Sequence, residues 1–287
     1  MSDRLRRLYG WLPPLQKAAR GAVYALREPF AIGMALEPRL MKLAEAVSRL
    51  HLRRQVTDPE LRRRLTPDYV IGCKRMLLTN DWYPALTAPN VELMTEGLEE
   101  IRGNTIVGSD GSQREVDAIV FATGFSPTDP PIAHALHGPD GRTLAEVWGG
   151  SPQAYRGTTV AGFPNLFLLY GPNTNLGHNS IVYMLESQFE YVMRALRAVR
   201  ERGLGRIEVR EEVQRRYNED VQRRLRGTVW KAGRCASWYL DEDGENSVMW
   251  SDFTFRFRRL ARAFELADHH VGPRVDAPAA TQRSLVG

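Results

Sequence analysis

The chain has 287 residues, 43% of them hydrophobic and 25% charged, which is room for one large globular domain or two small ones. Thirty-nine Lys and Arg against 34 Asp and Glu leave a net charge of +5, an excess that suits phosphate-bearing small molecules as well as nucleic acid and is most simply a solvated surface. The opening MSDRLRRLYGWLPPLQKAARG is charged and broken by Pro13 and Pro14, and no uncharged apolar stretch approaches a membrane span, so neither a secretory leader nor a membrane partner is expected.

Residues 3 to 65 space their apolar positions three and four apart with Arg-rich faces, which predicts helices. Thr57-Asp58-Pro59-Glu60 has the form of a helix start. The run Arg62-Arg63-Arg64 lies beside it, without interleaved aromatics or a nucleic-acid motif, so no nucleic-acid partner is expected. From residue 66 the texture becomes short and β-rich. Residues 104–107 predict a strand, Ser109-Asp110-Gly111-Ser112 a turn, and Val116 the start of the next strand. Within that strand Ala118, Ile119, Val120, Phe121 and Ala122 read as a run buried on both faces, which Thr123-Gly124 stops abruptly.

A Pro- and Gly-rich connector follows. Residues 166–170, LFLLY, then predict a short strand, 171–180 a Gly/Asn-rich loop, and the residues beyond a long amphipathic helix that Asn179 or Ser180 would cap. A helix start of this kind favours an anion or an electron-rich ring edge, though a plain strand-to-helix turn explains the same spacing. Residues 206 to 264 mix helix and short strands, and the small, Pro-containing tail is expected to be disordered. Cys73 and Cys235 lie far apart in sequence and match no metal or redox spacing. Two reduced thiols in a cytoplasmic protein, and no metal site, are the expectation.

Among residues that could carry chemistry, Lys74 and Arg75 sit side by side after Gly72, so that one cation could meet a phosphate while the other faces away. Such a pair is also ordinary surface decoration. A lone His178 beside a helix start is more often a hydrogen-bonded structural residue than a catalyst. Trp230, Trp238, Tyr239 and Trp250 could line an apolar pocket, with core packing the simpler reading. The G-x-G-x-x-G phosphate turn is missing: Gly203-Leu204-Gly205 lacks the third glycine, and there is no P-loop.

Four stretches taken in order, PDYVIGCKRMLLTNDWYPAL, VDAIVFATGF, GTTVAGFPNLFLLYGPNTNLGHNSIVYMLESQFEYV and SWYLDEDGENSVMWSDFTFRFRR, resemble the C-terminal half of flavin-dependent Baeyer–Villiger monooxygenases. The likeness is to the 4-hydroxyacetophenone and cyclohexanone monooxygenase group, within the flavin-containing monooxygenase superfamily. It implies an α/β, incomplete two-dinucleotide-binding-domain flavoprotein of Rossmann-like type with an N-terminal helical segment, using FAD and NADPH. Residues 1–66 would be the helical part of the NADPH domain and 67–125 its remainder with the return strand. Residues 126–266 would be the C-terminal part of the FAD domain, and 267–287 a disordered tail.

On the same resemblance Arg75 is the catalytic arginine that steadies the anionic oxygenated flavin, and Lys74 meets the 2′-phosphate of NADPH. Thr123 and Gly124 would lie where the chain passes the cofactor with no large side chain. The loop carrying Asn173, His178 and Asn179 would face the flavin's pyrimidine edge, and Arg75 is expected to look toward it. The implied reaction takes a ketone or aldehyde and O2 to an ester, or oxygenates a heteroatom. Both dinucleotide fingerprints of the family lie outside these residues. The chain alone is therefore expected to expose apolar surface and to be inactive, lacking an N-terminal half. The alternatives are a non-catalytic remnant or binding subunit that needs an N-terminal partner and, more remotely, a nucleic-acid binder using the basic helices.

Overall fold

A computed structural model describes residues 3–124, 126–233, 235, 237–241 and 243–273. The N-terminal third is helical, as its spacing predicts: α1 (Asp3–Trp11), α2 (Pro13–Arg27), a π-helical turn (Ile32–Leu36), α3 (Met41–Gln55) and α4 (Pro59–Leu65). Pro13 opens α2, and Asp58 caps α4 by accepting from the Glu60 amide at 3.0 Å, with Pro59 in the first turn. The adjoining arginines are occupied within the protein. Arg63 pairs with Glu60 at 2.6 Å, Arg64 lies 3.8 Å from Glu96, and Arg62 donates to the Val56 carbonyl.

After the short α5 (Trp82–Leu86) comes an antiparallel meander of β1 (Leu98–Arg102), β2 (Thr105–Gly108) and β3 (Gln113–Glu115). The turn at 108–112 closes where the sequence places it, and Asp110 accepts from the Ser112 amide at 3.0 Å. The third strand, however, ends before Val116. The Val116 amide still donates to the Asn104 carbonyl at 2.9 Å, but residues 117–124 belong to no strand, and Val120 and Phe121 are 89% and 67% exposed. This corrects the expectation of a buried strand. The apolar run is real, but no neighbouring strand or covering helix among the described residues lies against it, so it cannot bury. Residues 166–170 likewise form no sheet and leave Leu169 and Tyr170 about half exposed, but the Leu168 amide donates to the Thr158 carbonyl at 2.7 Å and Leu166 and Leu168 pack on a second core around Val160 and Phe163.

The C-terminal half carries α6 (Leu144–Trp148), the 21-residue α7 (Ile181–Glu201), β4 (Leu204–Val209), α8 (Glu211–Leu225), α9 (Val229–Ala232), α10 (Thr254–Arg262) and β5 (His269–Pro273). β5 pairs antiparallel with β4, from Val209 opposite His269 to Leu204 opposite Pro273. The expected disordered tail from 267 is thus corrected over 267–273, because ladder bonds to β4 hold that stretch. The rest of the expected tail, 274–287, lies outside the described residues.

The main core gathers Met34, Met41, Cys73, Leu176, Met184, Leu225, Trp230, Tyr239, Met249, Trp250 and Phe257, from both ends of the chain. Three of the four aromatics singled out in the sequence are therefore core, whereas Trp238 is 46% exposed. The two cysteines are a further correction. A disulfide joins Cys73 to Cys235, with Cα atoms 6.3 Å apart across a sequence separation of 162. Distance along the chain misled because the packing of α9 against the π-helical turn closes that loop.

Candidate functional site

The loop after residue 170 is rigid because a second segment, 246–250, lies along it. The Asn173 and Asn175 amides donate to the carbonyls of Ser247 (2.8 Å) and Val248 (3.0 Å), and the Trp250 amide returns a bond to Asn175 at 2.8 Å. Asn173 holds a left-handed backbone, φ 56°, an accessible state for Asn. Its buried Nδ2 donates to the carbonyls of Asn246 at 2.6 Å and Met249 at 3.1 Å. Behind the loop, a Cβ on Gly157 (φ 62°) would overlap the Thr174 methyl and come within 2.7 Å of the Pro172 carbonyl, so only glycine permits this approach. Gln188, buried on the inner face of α7, accepts from the Tyr170 amide (2.9 Å) and donates to the Gly157 carbonyl (2.8 Å), fixing both sides of the turn.

At the far end Ser180 is the N-cap of α7, but its side chain makes no capping bond. Instead Asn179 Oδ1 accepts from the Ser180 amide at 2.8 Å. The other end of Asn179 donates to Glu28 at 2.5 Å. Glu28 also accepts from the Thr254 amide (2.6 Å) and hydroxyl (2.8 Å), so one buried carboxylate ties the end of α2 and the loop to the start of α10. His178 is 6% exposed, and neither ring nitrogen has a hydrogen-bond partner. Burial pushes its pKa down, while Glu28 and Asp252 pull the other way, so the ring is held toward neutrality. Asp252 itself is buried and accepts from Arg256 at 2.7 Å and Arg224 at 3.1 Å.

Arg75 is exposed, and its charge acts on Tyr170 at the head of this turn and on the buried Tyr239, whose hydroxyl has no hydrogen-bond partner. Desolvation pushes both hydroxyls up, and the Arg75 charge opposes that push. Lys74 points elsewhere, with its ammonium 4.6 Å from the Tyr69 ring centroid. Of the seven residues singled out by sequence, Arg75, Asn173, His178 and Asn179 belong to this region. Thr123 and Gly124 (φ 93°) sit in the uncovered extended stretch, exposed and without secondary structure. Beside Tyr170 opens a cavity of about 360 Å³ with a largely apolar lining that includes Leu168, Gly171, Trp148, Trp238 and Val248. Glu28, Gln188 and Asp252 escaped the sequence reading. Their only signal is a polar residue on the inner face of an otherwise amphipathic helix or beside a cap.

Among the described residues no group of three or more His, Cys, Asp or Glu is placed to hold a metal ion, and no helix is long and apolar enough to cross a membrane. No family model matches the chain. It is 48% identical over 272 residues to a Baeyer–Villiger monooxygenase of Pseudomonas aeruginosa and 45% identical over 273 residues to one of Streptomyces coelicolor. Each alignment covers 94% of this chain and 52% of the relative. The FAD-binding monooxygenase ktnD of Aspergillus niger is 37% identical over 91% of this chain and 44% of its own. In three dimensions, an oxidized steroid monooxygenase bound to NADP superposes with a TM-score of 0.71 at 26% identity, over 89% of this chain and 51% of that one. The chain spans about half the length of the curated relatives it matches. Across nearly all of its residues the chain is thus similar to Baeyer–Villiger monooxygenases, aligning with about half of each.

Proposed function

We propose that this chain supplies the arginine-bearing half of an FAD- and NADPH-dependent monooxygenase, inserting oxygen next to a carbonyl of a ketone or aldehyde or onto a heteroatom. The observation that carries the reading is the identity of 48% and 45% to Baeyer–Villiger monooxygenases over 94% of this chain, with the Arg75 charge near enough to Tyr170 to oppose the upward push that burial gives its hydroxyl. FAD is suggested by the FAD-binding fungal relative and NADP by the solved steroid enzyme. When bound, FAD would supply the oxygen-activating redox chemistry.

The residues present fit one end of such a cofactor. His178 offers two ring nitrogens with no partner in the protein, beside a helix start whose first-turn amides no side chain caps. Arg75 would hold negative charge developing near Tyr170, on which its own charge already acts. Asn173 and Asn179 fit less well as direct contacts, because the amide nitrogens of both are committed within the fold. They would act by shaping the loop. Lys74, Thr123 and Gly124 would contribute once the extended stretch is covered. The phosphate-binding glycine turn is absent from the sequence, so the pyrophosphate would be gripped by another polypeptide segment.

The test is reconstitution. The purified chain is incubated with FAD and NADPH, alone and with the glycine-rich half of a family member. Bound yellow flavin and ketone-dependent NADPH oxidation only in the mixture are the expected result. Flavin recovered without any oxygenation would favour the reading as a binding subunit, and turnover by the chain alone would refute the need for a second half.

A further inference from the structure

We propose that Cys73 and Cys235 form a thiol–disulfide site that, when oxidised, clamps the Lys74 and Arg75 segment against the stretch after α9, and when reduced releases it. The chain has two cysteines, and the fold brings both together in its core, 0% and 7% exposed, from positions 162 apart. The partners sit close by construction. A Cβ on Gly233 would lie 2.7 Å from Cys73 Cβ, so the approach of the two segments requires a glycine there.

What makes the bond consequential is how little else holds the cationic pair. Among the described residues, 67–80 make one backbone–backbone hydrogen bond, Cys73 N–H to the Val70 carbonyl at 3.2 Å. Leu77 and Leu78, just beyond Arg75, are 80% and 82% exposed. Oxidation therefore ties the backbone next to Lys74 and Arg75 to the segment that leads to Tyr239, while reduction leaves it held by packing alone, through the buried Gly72 and Cys73 and the partly buried Ile71 and Met76 on the core. In a reducing compartment such a pair stays open until an oxidant arrives.

A hydroperoxide is the oxidant class. One thiolate attacks the O–O bond, giving a sulfenic acid and, from hydrogen peroxide, one water. The second thiol then attacks the sulfenic sulfur, forming S–S and releasing a second water. The two sulfurs together lose two electrons and the peroxide gains them. The site does not depend on Arg75 having a role in oxygenation, so it stands or falls apart from the proposed activity.

The experiment uses the full chain after reduction with dithiothreitol and after hydrogen peroxide treatment. The oxidised sample should lose both titratable thiols on denaturation and about 2 Da of intact mass. Its amides at 70–78 should exchange with deuterium at least about tenfold more slowly than those of the reduced sample. A Cys73→Ser, Cys235→Ser double variant should match the reduced chain under both conditions. If it does not fold, the reduced wild-type chain serves as the comparison. Two thiols still titratable after peroxide, or identical exchange at 70–78 in both samples, would overturn the proposal.

Discussion

His178 has no hydrogen-bond partner, and its depressed pKa ties it to stability. The unfolded chain binds a proton near pH 6.5 more readily than the folded one does, so the stability due to the neutral ring is present above that pH and lost as pH falls below it. His269, also pushed down by burial, acts in the same direction. Unfolding free energy should therefore drop as the chain is taken from about pH 7 to about pH 5, and His178→Gln should flatten part of the slope in urea titrations. An unchanged slope would mean that the ring is not held neutral. Arg75 makes a contrasting prediction. Because it is exposed, Arg75→Ala should leave thermal stability within about 0.5 kcal/mol. In the reconstituted enzyme the same change should cut oxygenation by about a hundredfold or more if its charge serves the reaction.

Beside the apolar core, polar contacts join elements. α2 meets α7 and α10 through its polar face. Arg20 pairs with Glu186 at 2.6 Å, Tyr24 stacks on Tyr183 at 4.8 Å between ring centroids, and Glu28 reaches Thr254. Val23 and Leu26 of the same helix face outward, 60% and 73% exposed. Glu28→Ala would strand the Thr254 amide and the Asn179 side chain without an acceptor. It should destabilise by about 2–3 kcal/mol in denaturant melts, and Glu28→Gln, which keeps one acceptor oxygen, by less. The crossing of residue 157 behind the loop is equally demanding. Gly157→Ala combines a left-handed backbone with overlap on Thr174 and should cost about 2 kcal/mol or more, whereas alanine at Gly10, with open space around it, should not destabilise α1.

At the scale of the whole molecule, apolar surface is left outside. Val182, Phe189, Met193 and Leu196 form a stripe along α7, each about half exposed. Leu43 and Val47 of α3 are about 70% exposed, and Val120 and Phe121 are uncovered. This exceeds the scattered apolar exposure usual on a self-contained protein and matches a chain spanning half the length of its relatives. The isolated chain should bind a hydrophobic dye strongly and associate with rising concentration in sedimentation experiments. A complementary glycine-rich half should suppress both. A chain that stays monomeric and dye-free would show these surfaces to be tolerated.

By itself the sequence determined what is local: the helices of the first third, the cap at Asp58, the meander around Asp110, the long helix after the loop, and the family likeness through its ordered motifs. These depend on spacing of three, four or two residues and on turn chemistry within a few positions. Tertiary structure alone decided the rest. Whether residues 118–122 and 166–170 became strands depended on neighbours that the described residues do not include. Cys73 met Cys235, and Glu28 met Thr254, because packing closed loops of more than 160 residues, and no local pattern encodes such a meeting. The 171–180 loop was legible as a Gly/Asn-rich turn ahead of a long helix, but the commitment of Asn173 and Asn179 to the fold was not, since burial decides which polar groups must find partners inside the protein.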